Sequence, residues 1–218
     1  MCTAYQNQDI TAMSAQGGGG SKGMRGWRWC AMMRRRGLSG SGTQHGGQLH
    51  QLVDVIIEEK ARLFVCAVGV PPKDVVDKLH KAGIVVMNMV GHPKHVAKAL
   101  DVGVDLICAQ AGEGGGHTGD VAASILIPAC VDAVRGRTSP LTGGPVYVVG
   151  AGAVYNGRSL AVNLAWGAQG VWVGTRFVTS VEAGASPAHK KVARGRVLPL
   201  ERMKIDINPL DCRRSRMS

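Results

Sequence analysis

The sequence predicts an α/β fold of parallel strands joined by single helices, on three observations. From residue 49 onward, short apolar runs alternate with segments of helical periodicity. The runs are apolar throughout rather than alternating, as strands covered on both faces require. The last three end in small, glycine-rich loops: 104–109 leads into Gln110-Ala-Gly-Glu-Gly-Gly-Gly-His117-Thr-Gly119, 146–149 into Gly150-Ala-Gly-Ala153, and Val171-Trp-Val173 into Gly174-Thr-Arg-Phe177.

Each element has a local reason. Leu52, Val53, Ile56 and Ile57 give 49–62 helical spacing, and Leu63-Phe-Val-Cys-Ala-Val68 is a β-prone run. Pro71 and Pro72 open a helix over 73–81 that Gly83 closes. The run 84–90 is the second strand, followed by a helix over 93–101 closed by Gly103. The third strand, 104–109, precedes the longest glycine loop. A helix over 121–134 follows, kinked near Pro128. The fourth strand is 146–149, then come a helix over 157–166 and the fifth strand, 171–173. Single-helix crossovers are right-handed and make the sheet parallel.

An open doubly wound sheet and a (β/α)8 barrel share this pattern. A dinucleotide-binding sheet carries its glycine loop after the first strand, whereas here the loops follow the last three. Phosphate sites after the seventh and eighth strands are a barrel feature. The expected fold is therefore a TIM-type (β/α)8 barrel, incomplete, with about five βα units visible as the fourth to eighth strands. Residues 1–48 form a basic, glycine-rich extension, 49–191 the partial barrel, and 192–218 a basic tail.

The net charge of +11 sits at the two ends. Residues 1–48 hold six Lys or Arg against one Asp, and 192–218 hold seven against three. The body, 49–191, is nearly balanced, with thirteen basic and eleven acidic residues. No helix-turn-helix, zinc-finger or aromatic-rich RNA-binding pattern accompanies the charge, so no nucleic-acid partner is expected. No apolar stretch approaches the ~18 residues of a membrane helix, so no membrane partner is expected either. The six cysteines are scattered without a C-x-x-C pair, against a metal centre or a disulfide scaffold. Cys66 and Cys108 lie in apolar runs and read as reduced core residues, which fits an intracellular, cytoplasmic location. The acid-poor segment 1–48 reads either as a mitochondrial-type targeting peptide or as a disordered extension.

The glycines at 112–119 let the chain turn tightly and bring backbone N–H groups against a planar or anionic ligand. His117 is the histidine of that loop, and an ordinary imidazole, with a pKa near about 6.5, is a base at cellular pH. Gly150, Ala151, Gly152 and Ala153 resemble a phosphate-cradling strand-to-helix turn, with Asn156 as a helix cap. Gly174 and Thr175 offer two amides and a hydroxyl to the same phosphate. Taken singly, each loop also reads as an ordinary tight turn; together, in consecutive units, they point to an enzyme with a phosphorylated cofactor. His92 and His95 read as a solvated helix start rather than a metal site. Met89 and Val90 read as core, with a cofactor ring at the strand end as the alternative.

These residues resemble the nitronate monooxygenases (formerly 2-nitropropane dioxygenases), flavin-mononucleotide enzymes on a TIM barrel, over about 61–191. Glu113-Gly-Gly-Gly-His117-Thr-Gly119 is close to the family's E-A-G-G-H-x-G. Gly150-Ala-Gly-Ala-Val-Tyr-Asn-Gly-Arg158 is near A-x-G-G-I-x-D-G-R, and Gly170-Val-Trp-Val-Gly-Thr-Arg-Phe177 fits G-V-x-x-G-T-R-F. The resemblance implies that FMN is the cofactor. Gly152, Ala153, Gly174 and Thr175 would hold its phosphate, with Gly150 and Ala151 in the same turn. Gln110 and Gly115 would lie near the ring or ribityl chain. His117 is implied as the base that takes the proton α to the nitro group. The reaction would oxidise nitronates or nitroalkanes with O2 to a carbonyl compound and nitrite. The resemblance leaves the natural substrate and any oligomer open. Ala153 and Asn156 stand where the family has Gly and Asp, and its Q-G-P-M-like N-terminal strands are not visible. A related flavin-dependent enoyl-acyl-carrier-protein reductase shares the glycine–histidine loop, and a catalytically silent flavin-binding fragment is a third reading.

Overall fold

The computed structural model describes residues 10–13, 48–115 and 118–197. The chain divides into two compact units, 1–177 and 178–218.

In the first unit the chain order is β1 (Ile10–Met13), α1 (Gln48–Glu58), β2 (Leu63–Cys66), α2 (Lys73–Lys81), β3 (Val85–Val90), α3 (Lys94–Asp101), β4 (Leu106–Gln110), α4 (Ala123–Ala133), β5 (Tyr147–Ala151), α5 (Gly157–Ala165) and β6 (Gly170–Trp172). A short helix, α6 (Thr175–Val178), follows. The six strands form one sheet in the order β1-β2-β3-β4-β5-β6. β2 to β6 are parallel and strictly sequential. A doubly wound sheet reverses strand order at a switch point, and none occurs here. Side chains of α1 to α4 join Phe64, Val86, Ile107 and Val148 in one large apolar cluster. A second cluster, Val65, Met87, Cys108 and Ala151 with Leu63, Met89, Leu106, Val149 and Trp172, draws only on strands. Alternation along each strand puts the two clusters on opposite faces of the sheet. The fold is thus a partial TIM-type barrel, with helices outside and the strand-only cluster facing the barrel interior.

The expected strands and helices all form, with ends displaced by up to four residues. β2 stops at Cys66, and Val68 adopts a left-handed φ of +59°, which ends the extended run. Helix α2 carries Asp74 in its first turn and Lys78, His80 and Lys81 in its last, matching the helix dipole at both ends. Pro128 lies inside α4, where it removes one backbone hydrogen bond. One element departs from expectation: β1 falls inside the segment 1–48, where no regular element is predicted. Its four residues pair antiparallel with β2, Ile10 opposite Cys66 and Met13 opposite Leu63. The exposed edge of β2 supplies unpaired backbone groups that select a partner strand, so a four-residue segment needs no periodic signature of its own. Residues 14–47 lie outside the described residues, as do 198–218.

Burial pushes the Cys108 thiol up to about 12, with the Cys130 thiol adding to the shift, and burial raises Cys130 to about 12 as well. Both stay protonated near neutral pH, as core thiols do. Among the described residues no helix is long and apolar enough to cross a membrane.

At the N-terminal end of the strands, Asp105 is buried and fully engaged. Its Oδ2 accepts from the Val86 N–H at 2.8 Å and lies 2.9 Å from His80 Nε2. Its Oδ1 accepts from Ser139 Oγ at 2.6 Å and from the Leu141 N–H at 3.3 Å. This one carboxylate therefore ties α2, β3, β4 and the 138–144 loop.

In the second unit, α7 (Pro187–Val197) runs across position 191, where composition alone places a boundary. Its Lys190 donates to the Ser180 and Val181 carbonyls at 2.8 and 3.3 Å, and Arg194 to the Thr179 carbonyl at 3.3 Å.

Asp105→Ala leaves two backbone amides, a hydroxyl and an imidazole without their acceptor. It is expected to destabilise the first unit by about 3 kcal/mol, read as a lower urea midpoint at unchanged slope.

Candidate active site

Because β3 to β6 are parallel, their C-terminal ends lie along one edge of the sheet, and the loops leaving them share that edge. The tightest contacts between the loops are made by backbone. A Cβ on Gly91, just after β3, would sit 2.6 Å from the Gly119 N, and one on Gly119 would collide with the Gly91 carbonyl. The loop after β4 turns at once, with the Gly114 N–H donating to the Ala111 carbonyl at 3.0 Å and the Gly112 N–H to Val121 at 2.9 Å. It is fastened to β5 by the Ala111 N–H, which donates to the Ala151 carbonyl at 2.9 Å. Gly152, at φ +92°, has no room for a Cβ: the Ala111 carbonyl oxygen would lie 3.1 Å away and the Gly114 N 3.2 Å away. A Cβ on Gly115 would meet Thr175 Oγ at 3.5 Å, which brings the loop after β6 to the same place. Arg176 closes the group by donating to the Tyr155 carbonyl at 3.2 Å.

The structure thus brings Gln110, Gly115, Gly152, Ala153, Gly174 and Thr175 together. Ala151 ends β5 on the inward face and is buried. Gly150 lies one residue earlier, where the space of its missing side chain is filled by Asn163 of α5 and approached by Ile127 of α4. Its Cα therefore faces the helices, and its smallness serves sheet-to-helix packing. His117 and Gly116 lie outside the described residues; their neighbours Gly115 and Thr118 are part of the cluster. His92 and His95 are exposed, and the His92 Nδ1 accepts from the Lys94 N–H at 3.1 Å, a helix-start contact as expected. Among the described residues no group of three or more His, Cys, Asp or Glu side chains is placed to hold a metal ion.

Two residues act here in ways the sequence reading did not assign. Glu113 accepts from the Ala123 N–H with both carboxylate oxygens, each at 3.2 Å, and so caps α4 from the loop. The signal was present: α4 begins after Ala122, which has no capping side chain, so the helix start needs an acceptor from elsewhere. Trp172 is the second. Register places it beside Ala151, which in turn lies beside Gln110, on the inward face.

A phosphate monoester fits this cluster. Among the described residues, the backbone N–H groups of Gly152, Ala153, Gly174 and Thr175 donate to no protein acceptor, and Thr175 adds a hydroxyl. Asn156 heads the next helix in a capping box, its Oδ1 accepting from the Ser159 N–H at 3.0 Å. That contact directs the start of α5 toward the same edge, where its dipole favours an anion.

Comparison with known proteins places this geometry in a family. The model for nitronate monooxygenase matches residues 35–197. A hydroxy-methyl-oxo-octahydro-indene-carboxyl-CoA dehydrogenase of Rhodococcus jostii is 41% identical over 145 residues, 66% of this chain and 38% of that protein. A nitronate monooxygenase of Pseudomonas aeruginosa is 31% identical over 148 residues, 66% of this chain and 41% of that one. FabK from Thermotoga maritima superposes with a TM-score of 0.60 at 27% identity, covering 75% of this chain and 51% of FabK. The chain spans about 40% of the length of the curated relatives it matches.

Ala153 sits at φ +53°, a left-handed conformation that an L side chain resists. Ala153→Gly is expected to stabilise the fold by about 0.5–1 kcal/mol, the net of relieved strain and greater unfolded-state entropy. Gly150→Ala drives a methyl into Asn163 and is expected to destabilise by about 2 kcal/mol. Thermal denaturation of the two variants side by side reads both signs.

Proposed function

The chain belongs to the nitronate monooxygenase family, and from that premise we propose that it binds FMN and oxidises alkyl nitronates with O2 to a carbonyl compound and nitrite. The observation that carries this reading is the grouping of four amides that have no partner among the described residues, from the loops after β5 and β6, near the loop that holds the Gly-Gly-Gly-His sequence. A phosphate dianion answers those donors better than any neutral group, since charged acceptors form the stronger hydrogen bonds.

In this reading Gly152, Ala153, Gly174 and Thr175 bind the flavin phosphate. Gln110 and Gly115 lie along the ribityl chain or ring edge. Gly150 supports the same turn through its packing under α5, and Ala151 floors it. When bound, FMN would supply the redox chemistry between nitronate and O2, and the protein's part is to position it and manage the proton. His117 takes the proton α to the nitro group of a neutral nitroalkane. An imidazole suits that work because it is partly unprotonated at cellular pH.

A second reading, turnover of an acyl thioester, is favoured by one observation. The Rhodococcus relative named for a carboxyl-CoA substrate is 41% identical, against 31% for the Pseudomonas nitronate monooxygenase. Purified protein mixed with FMN, then assayed for nitrite release from a nitronate, tests the first reading. Oxidation of NAD(P)H by an enoyl thioester without nitrite release would support the second. Protein that stays colourless after FMN is added and removed by gel filtration would oppose both and favour a silent fragment.

His117→Ala is expected to keep FMN bound while turnover of a neutral nitroalkane falls by about a hundredfold or more. A preformed nitronate, already lacking that proton, should lose less. Equal turnover by the variant and the parent would remove His117 from the role.

A further inference from the structure

The geometry points to Trp172 as the wall against which a planar, conjugated ligand stacks in this site. The inward faces of the parallel strands are arranged in tiers by register. Met89 lies beside Cys108, and Cys108 beside Val149. One step nearer the loops, Gln110 lies beside Ala151, and Ala151 beside Trp172. This upper tier sets a methyl between an amide and an indole. Ala151 is itself buried, so Gln110 and Trp172 stand to either side of a small residue, above the apolar side chains of the lower tier.

Trp172 has the surroundings of a binding surface rather than of core filler. It packs against the strand-only cluster, yet it stays half-buried at the loop end of β6. Among the described residues its indole N–H has no acceptor, and that nitrogen is not sealed from solvent. Buried tryptophans usually find a partner for this group. It lies three residues before Thr175, so a ligand anchored by its phosphate on the Gly174 and Thr175 amides has its flat portion within reach of the indole. The side chains of the tier beneath, Met89, Cys108 and Val149, carry no charge to hydrate a ligand's lower face. A flat, polarisable heterocycle with a hydrogen-bonding edge for Gln110 matches both walls; a flexible aliphatic group uses neither.

This inference rests on the flavin reading above, and its test separates the two. Full-length protein is freed of ligand and titrated with FMN, following tryptophan emission and flavin absorbance together. Stacking predicts that Trp172→Ala weakens FMN binding by about tenfold or more, in line with aromatic stacking on heterocyclic bases. Trp172→Phe should bind within about threefold of the parent, because a smaller ring still stacks. It should also lose most of the emission quenching, whereas Trp166→Phe should keep it. Far-UV circular dichroism matching the parent establishes that each variant is folded. If the Ala variant does not fold, the Phe variant's loss of quenching decides alone. Parent-like affinity in Trp172→Ala, or unchanged quenching in Trp172→Phe, overturns the stacking role and leaves FMN binding intact. A parent that binds no FMN overturns both.

Discussion

The site depends on backbone meeting backbone along the C-terminal edge of the sheet. Sequential parallel strands send every crossover to the same side, so the loops after β3, β4, β5 and β6 must share one edge. They can converge there only where a Cβ is missing. Gly91 and Gly119 touch through their own main chains, and Gly152 lies against the main chain of Ala111 and Gly114. With side chains at these positions the loops would stand apart, and the amides of Gly152 and Gly174 would no longer be held for the anion proposed above. The close contacts are therefore a condition of the proposed site, and the glycines answer to distance as much as to dihedral freedom.

The opposite end of the strands does different work. Asp105 heads β4 and spends its carboxylate on β3, α2 and the 138–144 loop, with no group left over for a ligand. Fixing β4 against β3 at that end sets the register that delivers Gln110 and Ala111 at the other. Stability at the N-terminal face and binding at the C-terminal face is the division of labour expected of barrel strands. Glu113 connects the two concerns locally, because a residue of the binding loop also supplies the missing cap of α4.

The regular part of this arrangement was legible in the sequence. Continuous apolar runs and helical spacing located β2 to β6 and the helices between them, because each of those signals is local. Loop convergence was foreseen from glycine placement alone. What escaped was whatever depends on a partner distant in sequence. β1 forms because β2 offers it an edge, and nothing in four residues announces that. Gly150 was grouped with the phosphate turn by proximity in the chain, but alternation along β5 points it at Asn163. That asparagine is the one buried residue of α5, while Leu160, Val162 and Leu164 are exposed, an inversion of the usual amphipathic rule that composition cannot reveal. Trp172 read as one more apolar residue of a strand until register set it beside Ala151.

The pair Gly152–Ala153 illustrates how such a turn can change its sequence and survive. Both residues have positive φ, +92° and +53°, and both belong to the turn that leads toward α5. At 152 a side chain would meet two obstacles, an unfavourable dihedral and the Ala111 carbonyl 3.1 Å away. At 153 only the dihedral resists, since the residue is exposed and its methyl faces solvent. The first position carries a steric barrier that no local adjustment removes, because the obstacle is main chain held in a strand-end hydrogen bond. The second carries about 1 kcal/mol of conformational strain, which a folded domain tolerates. Alanine in place of the family's glycine therefore falls at the one of these two neighbours where the amide can be kept in position at modest strain.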